Sequence, residues 1–313
     1  MFKYIMKRLF LMIPVIVGIS FILFLIMDLT PGDPARAILG DYATQEQIAA
    51  LREEMGLNDN FFVRYFRYAV NAVQGDFGKS YRTSVPVVEE IYARFPATLQ
   101  VAFQAIMLSI LLGVPIGVVS AVRQYSAIDI VSIATALIFT SIPAFWFGLM
   151  LILLFSLKLG WLPAVGADSW KHFIMPSVTL AAAQLATTIR MTRSTMLEVI
   201  RQDYIRTAMA KGATRRCVIF KHALRNALLP VVTVLGIGFG NLLGGALIVE
   251  SVFGISGLGT LMVNSVKSKD APMLVASVMF AALVGSLVNL GVDVLYTYID
   301  PRVKIQYLRR AKS

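Results

Sequence analysis

Cysteine, histidine and charge are all scarce in this chain. Cys217 is the one cysteine among 313 residues, which excludes an intrachain disulfide and a cysteine-based metal site. His172 and His222 are the only histidines. Charged residues make up 15% of the chain and hydrophobic ones 57%, with a mean hydropathy of +0.72. A soluble domain of this length is not that apolar, so the composition is that of an integral membrane protein. Catalytic signatures are missing as well: neither Gly-x-Ser-x-Gly nor His-Glu-x-x-His occurs. Gly78-Lys79-Ser80 has the ending of a phosphate-binding loop, but Val73 stands where the first glycine belongs.

Long apolar runs are what the chain does have. Residues 9–27 are uncharged and can cross a hydrocarbon core of about 30 Å. The run exceeds a usual signal-peptide core, and Thr30-Pro31-Gly32-Asp33-Pro34 offers no small-x-small cleavage site, so it reads as a retained helix. Five more spans are predicted at 98–122, 130–157, 173–189, 227–249 and 272–292. The predicted fold class is an all-α integral membrane protein with six transmembrane helices.

Basic residues orient it. Of 29 lysines and arginines, 18 fall in 1–8, 123–129, 190–226 and 298–313, which places both termini in the cytoplasm. The net charge of +11 therefore belongs to the inner rim of a membrane protein and implies no nucleic-acid partner. Three regions follow: 1–28, the N-terminal tail and first helix; 29–97, an extracytoplasmic cap; and 98–313, a five-helix core with a cytoplasmic loop at 190–226. The two histidines fall on opposite sides of the membrane and share no metal site. In the cap, Thr44 and Gln47 form a capping box for a helix through Met55. Phe61, Phe62, Tyr65, Phe66 and Tyr68 give the aromatic density of a membrane interface. An amphipathic helix is expected over 86–94.

The loop holds the most informative stretch, Asp203 to Pro230. Arg206, Lys211, Arg215, Arg216, Lys221 and Arg225 face Asp203 alone. It reads as two short helices with a break. Asp203 caps the first, and Ile205, Ala208 and Met209 share its apolar face. Lys211 suits the C-terminal dipole, and Gly212 takes the left-handed conformation that stops the helix. Thr214 restarts it. A basic knob between spans can anchor topology, or it can be gripped by a protein outside the membrane.

Tyr204, Thr207-Ala208, Ala210-Lys211-Gly212 and His222-Ala-Leu-Arg-Asn-Ala-Leu-Leu-Pro230 resemble the coupling loop of ABC importer permeases. The resemblance is to the first permease subunit of dipeptide, oligopeptide, glutathione and nickel importers. The wider class opens this loop with Glu-Ala-Ala; here Arg206-Thr207-Ala208 stands there, as in the peptide branch. Pro31-Gly-Asp-Pro34, Gly75-Asp-Phe-Gly78-x-Ser80, Thr140-Ser141-Ile142-Pro143-Ala144-Phe145-Trp146, Val249-Glu250-x-Val-Phe253, Gly257-Leu-Gly259 and Asp300-Pro301-Arg302 extend it nearly end to end.

The resemblance implies a multi-pass protein of a bacterial or archaeal cytoplasmic membrane. It implies a heterodimer with a second homologous permease, two ATPase subunits and an extracytoplasmic substrate-binding protein. The chain itself is implied to be no enzyme and to need no cofactor, ATP and magnesium being bound by the ATPases. Asp203, Tyr204, Ile205, Arg206, Thr207, Ala208, Met209, Lys211, Gly212, Arg215, His222 and Arg225 are the implied ATPase-coupling residues. The apolar face of Ile205, Ala208 and Met209 is expected to enter the ATPase groove.

Inside the spans, Ser141, Gln184, Asn241 and Asn289 are candidates for a pore wall or for bonds between helices. Pro143 can kink its helix, and Gly236, Gly240 and Gly244 form a stripe for close packing or gating. Asp293 is the one carboxylate expected inside a span, near enough to its end to pair with a lysine or arginine. It opens a second reading, an intramembrane enzyme, but one carboxylate is a poor hydrolytic site. A proton-driven carrier needs more buried ionisable groups. The sequence thus favours an ATP-driven permease for peptides, with a nickel or metal chelate as the alternative cargo.

Overall fold

A computed structural model describes residues 2–40 and 42–299, and these are nearly all helical. α1 (Phe2–Leu29) leads into three short helices, α2 (Pro34–Leu39), α3 (Gln45–Glu54) and α4 (Phe61–Val73). α5 (Val87–Val122) and α6 (Ala127–Ser141) follow; α7 (Ala144–Leu151) then runs into π-helical Ile152–Lys158. α8 (Ile174–Ile200), α9 (Asp203–Ala210) and α10 (Arg215–Cys217) come next. α10 continues without a break through π-helical Val218–Ala223 into α11 (Leu224–Val252), ahead of α12 (Leu258–Lys267) and α13 (Ala271–Ile299). The sequence from Asp300 on, including Asp300-Pro301-Arg302 and nearly all of the inner segment 298–313, lies outside the described residues.

Among the described residues, four helical stretches are long and apolar enough to cross a membrane: Ile5–Leu29, Val87–Val122, Arg215–Gly244 and Ala271–Val294. Two shorter helical arms, Ala127–Ser141 and Ala144–Lys158, are apolar enough to cross when taken together, and they are bent by 104° at the break between them. The expected span 130–157, with Pro143 able to kink its helix, is therefore two arms. Proline drives the break: it disfavours helix in the residue before it, and Ile142 is extended at φ −80°, ψ 126° ahead of Pro143.

The expected span at 173–189 lies in α8, whose polar side chains exclude it from that apolar set. α8 packs among α5, α6 and α11, so protein rather than lipid covers it. Four of its five threonines return their hydroxyls to carbonyls one turn back, among them Thr179 to Met175 at 2.8 Å and Thr195 to Met191 at 2.9 Å; Thr192 Oγ1 is buried without a bond.

Two boundaries move. The helix expected over 86–94 and the span expected from 98 are one helix, α5, with Pro96 inside it, so a cap boundary at 97 falls within a helix. The span expected to end at 249 runs on through Glu250 to Val252 as α11. The capping box is present: Thr44 Oγ1 accepts from Gln47 N (3.3 Å), and Gln47 Oε1 accepts from Thr44 N (2.9 Å).

α4 does not stand clear of α1. The Tyr65 hydroxyl lies 3.0 Å from Ser20 Oγ and donates to the Val17 carbonyl at 3.2 Å, both well inside the apolar run. Phe61 and Tyr65 pack edge-on against Phe21. In Gly78-Lys79-Ser80, Lys79 forms an isolated antiparallel bridge with Pro86, Gly78 sits at φ +77°, and Ser80 Oγ donates to Asp270.

The main core joins α5, α8 and α11 through Val101, Ala105, Leu180, Val231, Leu235 and Ala246. Contacts also sort the helix ends. Arg8 of α1 pairs with Asp293 of α13 at 2.8 Å, so the first turns of α1 meet the last turns of α13. α13 runs antiparallel to α11, with Val292 against Gly236 and Asn289 against Gly240.

Candidate functional site

α9 sends one fully buried side chain into the core. Ile205 is fully buried, in a cluster with Val118 and Ala121 of α5, Met196 of α8, and Val218, Ala223 and Ala227 at the start of the long helix through α11. Three spans thus share one contact with an eight-residue helix. The N-cap is Gln202; Asp203, expected there, is the first helical residue, and its carboxylate lies 3.8 Å from Arg206. At the far end Gly212 sits at φ +82°. Gly212 N donates to the Met209 carbonyl (2.9 Å) and Ala213 N to the Ala208 carbonyl (3.1 Å). This is the paired C-terminal closure that a left-handed glycine permits.

Burial divides the candidate residues. Ile205 faces the chain's own core, which corrects the expectation that it enters a partner's groove; Ala208 is half-buried beside it. Met209 and Tyr204 are the apolar side chains left outside, 51% and 43% exposed. Arg206, Thr207, Lys211, Arg215 and Arg225 are exposed around them. His222 is half-buried, and Asn226 Nδ2 donates both to its carbonyl (3.0 Å) and to the Tyr204 hydroxyl (2.9 Å). The second short helix is no separate element. Thr214 Oγ1 accepts from Cys217 N at 3.3 Å, starting the helix that becomes α11.

Between α6 and α8 lies an ion pair that sequence reading passed over. Asp129, 2% exposed, accepts from Arg193 of α8 through both oxygens, Nε–Oδ1 at 2.6 Å and Nη2–Oδ2 at 2.9 Å. Ser120 of α5 and Tyr125 N donate to the same carboxylate. One carboxylate therefore joins α5, α6 and α8. Ser126, three residues earlier, caps α6 onto Asp129 N at 3.4 Å, and this Ser-x-x-Asp spacing was the available signal.

The pore candidates are dispersed. Ser141 returns its hydroxyl to Leu137 (2.9 Å), and Asn241 is exposed. Gln184 is half-buried against Gly238 and leaves Nε2 without a hydrogen bond. Asn289 lies against Gly240 and leaves Oδ1 unbonded. Of the glycine stripe, Gly236 alone is tightly covered. Asp293, the candidate catalytic acid, is occupied by Arg8.

Two further acids were missed at the opposite end of the bundle. Glu250 is fully buried and accepts from Thr98 Oγ1 (2.6 Å) and Thr260 N (3.0 Å), serving the first turn of α12. Gly257 has no room for a β-carbon because this carboxylate fills the space. Asp270 caps α13, accepting from Met273 N at 3.3 Å.

Comparison with known proteins adds the following. A family model described as binding-protein-dependent transport system inner membrane component matches residues 113–305, and its N-terminal counterpart matches 1–102. The dipeptide transport system permease protein of Alkalihalophilus pseudofirmus is 42% identical, covering 97% of this chain and 100% of that protein. The glutathione transport system permease protein of Salmonella paratyphi A is 44% identical, covering 97% and 99%. Among solved structures, an inward-facing methionine ABC transporter aligns with a TM-score of 0.56 at 21% identity, over 68% of this chain and 96% of that one. This last likeness is one of fold.

Proposed function

The chain belongs to the family of binding-protein-dependent transport system inner membrane components, and from that membership we propose that it forms half of the pore of an ATP-driven importer for di- and oligopeptides or glutathione. A second, homologous permease completes the pore, and an extracytoplasmic binding protein delivers the substrate. Two ATPase subunits bind ATP and magnesium, so this chain performs no hydrolysis.

In this reading six spans cross the membrane with both termini cytoplasmic. α6 with α7 is one bent crossing and α8 the sixth. The pairing of Arg8 with Asp293 supports a shared side for the two ends, as do the basic residues of 190–226. Each ATPase grips one permease; on this chain it holds α9 and the turn after it. Tyr204, Arg206, Thr207, Met209, Lys211 and Arg215 meet the ATPase, with His222 and Arg225 about two and three turns further along.

The observation that carries the coupling role of α9 is the burial of Ile205 among Val118, Met196 and Ala227. Closure of the ATPases shifts α9, and through Ile205 that shift reaches α5, α8 and α11 together. Gln184, Asn241 and Asn289 then line the path, with Ser141 at the bend of the α6–α7 crossing. The test is uptake into vesicles holding the complete transporter, with a dipeptide, an oligopeptide, glutathione and a nickel chelate as probes. ATP-dependent uptake of a peptide or glutathione is expected; ATP-independent uptake, or uptake of the nickel chelate alone, overturns the proposal.

A further inference from the structure

A cavity of about 760 Å³ lies where α1 ends and α13 begins, between those helices and α3 and α4. We infer that it holds the phosphate headgroup of a membrane phospholipid. The inference rests on this corner of the fold and not on the transport reading above.

Charge points to an anion. Three carboxylates line the cavity, Asp28, Asp33 and Asp59, and each is paired: with Arg64, Arg52 and Arg67 respectively. Arg36 and Lys269 line it too and have no acidic partner among the described residues. The Lys269 ammonium lies against Gly32, where any side chain would displace it. Pro31-Gly-Asp-Pro34 thereby acquires a use: its glycine admits the lysine, and its aspartate caps α2 while accepting from Arg52.

Position points to a lipid. The inner wall is apolar, with Phe24 and Met27 of α1 and Tyr68 of α4. α1 is flanked by α13 and α4 and otherwise presents exposed apolar side chains, among them Val15, Ile22 and Leu29. On α4, Phe62, Phe66 and Val70 repeat at one turn's spacing on the exposed face, continuing that surface. A headgroup among basic residues with acyl chains along such a surface is an ordinary arrangement at a membrane interface. A peptide substrate fits less well, because the cavity is lined by α1, α3, α4 and the start of α13 and by no residue of α8 or α11.

The test uses the full chain purified in detergent, titrated with phosphatidylglycerol and followed by native mass spectrometry. One retained lipid per chain is expected. Arg36→Gln combined with Lys269→Gln should weaken retention about thirty-fold, each cation near the headgroup having a comparable effect. Arg36→Lys, which keeps the charge, should retain lipid as the parent chain does. Equal retention by the double variant overturns the inference, as does loss in Arg36→Lys equal to that in the double variant. Displacement of the lipid by micromolar inorganic phosphate assigns the cavity to a free anion, and displacement by a soluble dipeptide assigns it to substrate; either overturns it too.

Discussion

A β-carbon built on Gly236 would overlap the methyl groups of Val292 and come within 2.7 Å of that residue's own Cβ. Here α11 and α13 touch with nothing between them. One turn along, a β-carbon on Gly240 would find its nearest neighbours, the Asn289 amide atoms, at 3.6 Å. Gly236→Ala should therefore destabilise the chain by about 1–3 kcal/mol through overpacking, and Gly240→Ala by less than about 1 kcal/mol. Thermal unfolding in detergent measures both. Equal midpoints for the two variants would show that the helices separate freely at Gly236.

Breaking the buried pair should cost more. Arg193→Ala leaves the Asp129 carboxylate buried with only Ser120 and Tyr125 N as donors, and a loss of about 3–5 kcal/mol is expected. Arg193→Lys should recover only part of it, since an ammonium cannot match both oxygens as the guanidinium does. Unfolding midpoints of the two variants decide the order. A lysine variant as stable as the parent chain would contradict the bidentate account.

At Gly212 the space around a β-carbon is open, so a substitution meets no neighbour and acts through the backbone alone. Gly212→Val should cost about 1–2 kcal/mol of local strain at φ +82°. The permease should still insert in the membrane, with weakened co-purification of the ATPase. Unchanged co-purification would mean that the closure of α9 after Ala210 does not set its angle.

Sidedness can be read from Met209, which is more exposed than the half-buried Cys217. In a Cys217→Ser background, with the chain expressed without its ATPase, Met209→Cys should resist a membrane-impermeant thiol reagent in intact cells and react in inside-out vesicles. Labelling of intact cells would reverse the topology.

Local signals were legible in the sequence, and three-dimensional ones were not. Thr44 with Gln47, Thr214 and Gly212 act through bonds within a few residues, so their spacing announced them. The span at 173–189 was legible, but its continuation to Ile200 was not: α8 is covered by α5, α6 and α11, and a helix wrapped by protein can carry threonine and arginine where a lipid-facing one cannot. Ile205, Ala208 and Met209 share a helical face by spacing, but the sequence does not say whether the core or a partner covers it. Asp129, Glu250 and Asp270 stand near helix ends, where acids are commonplace; their burial depends on Arg193, Thr98 and Ser80, residues distant in the chain. The Gly236–Gly240–Gly244 stripe was visible, but which glycine bears the contact is set by the register of α13.

The central claim is that α9 passes the ATPase stroke to the spans through Ile205. Its most direct test is the ratio of substrate uptake to ATP hydrolysis in vesicles holding the complete transporter with Ile205→Ala. Emptying that buried site removes about 2–5 kcal/mol of packing, well beyond the roughly 1.4 kcal/mol that corresponds to a tenfold change in an equilibrium. The exposed face with Tyr204 and Met209 is untouched, so the ATPase should co-purify and hydrolyse ATP near the parent rate while uptake per ATP falls at least about tenfold. Uptake per ATP equal to the parent's would contradict the account, because the stroke would then reach the pore without the contact that joins α9 to α5, α8 and α11.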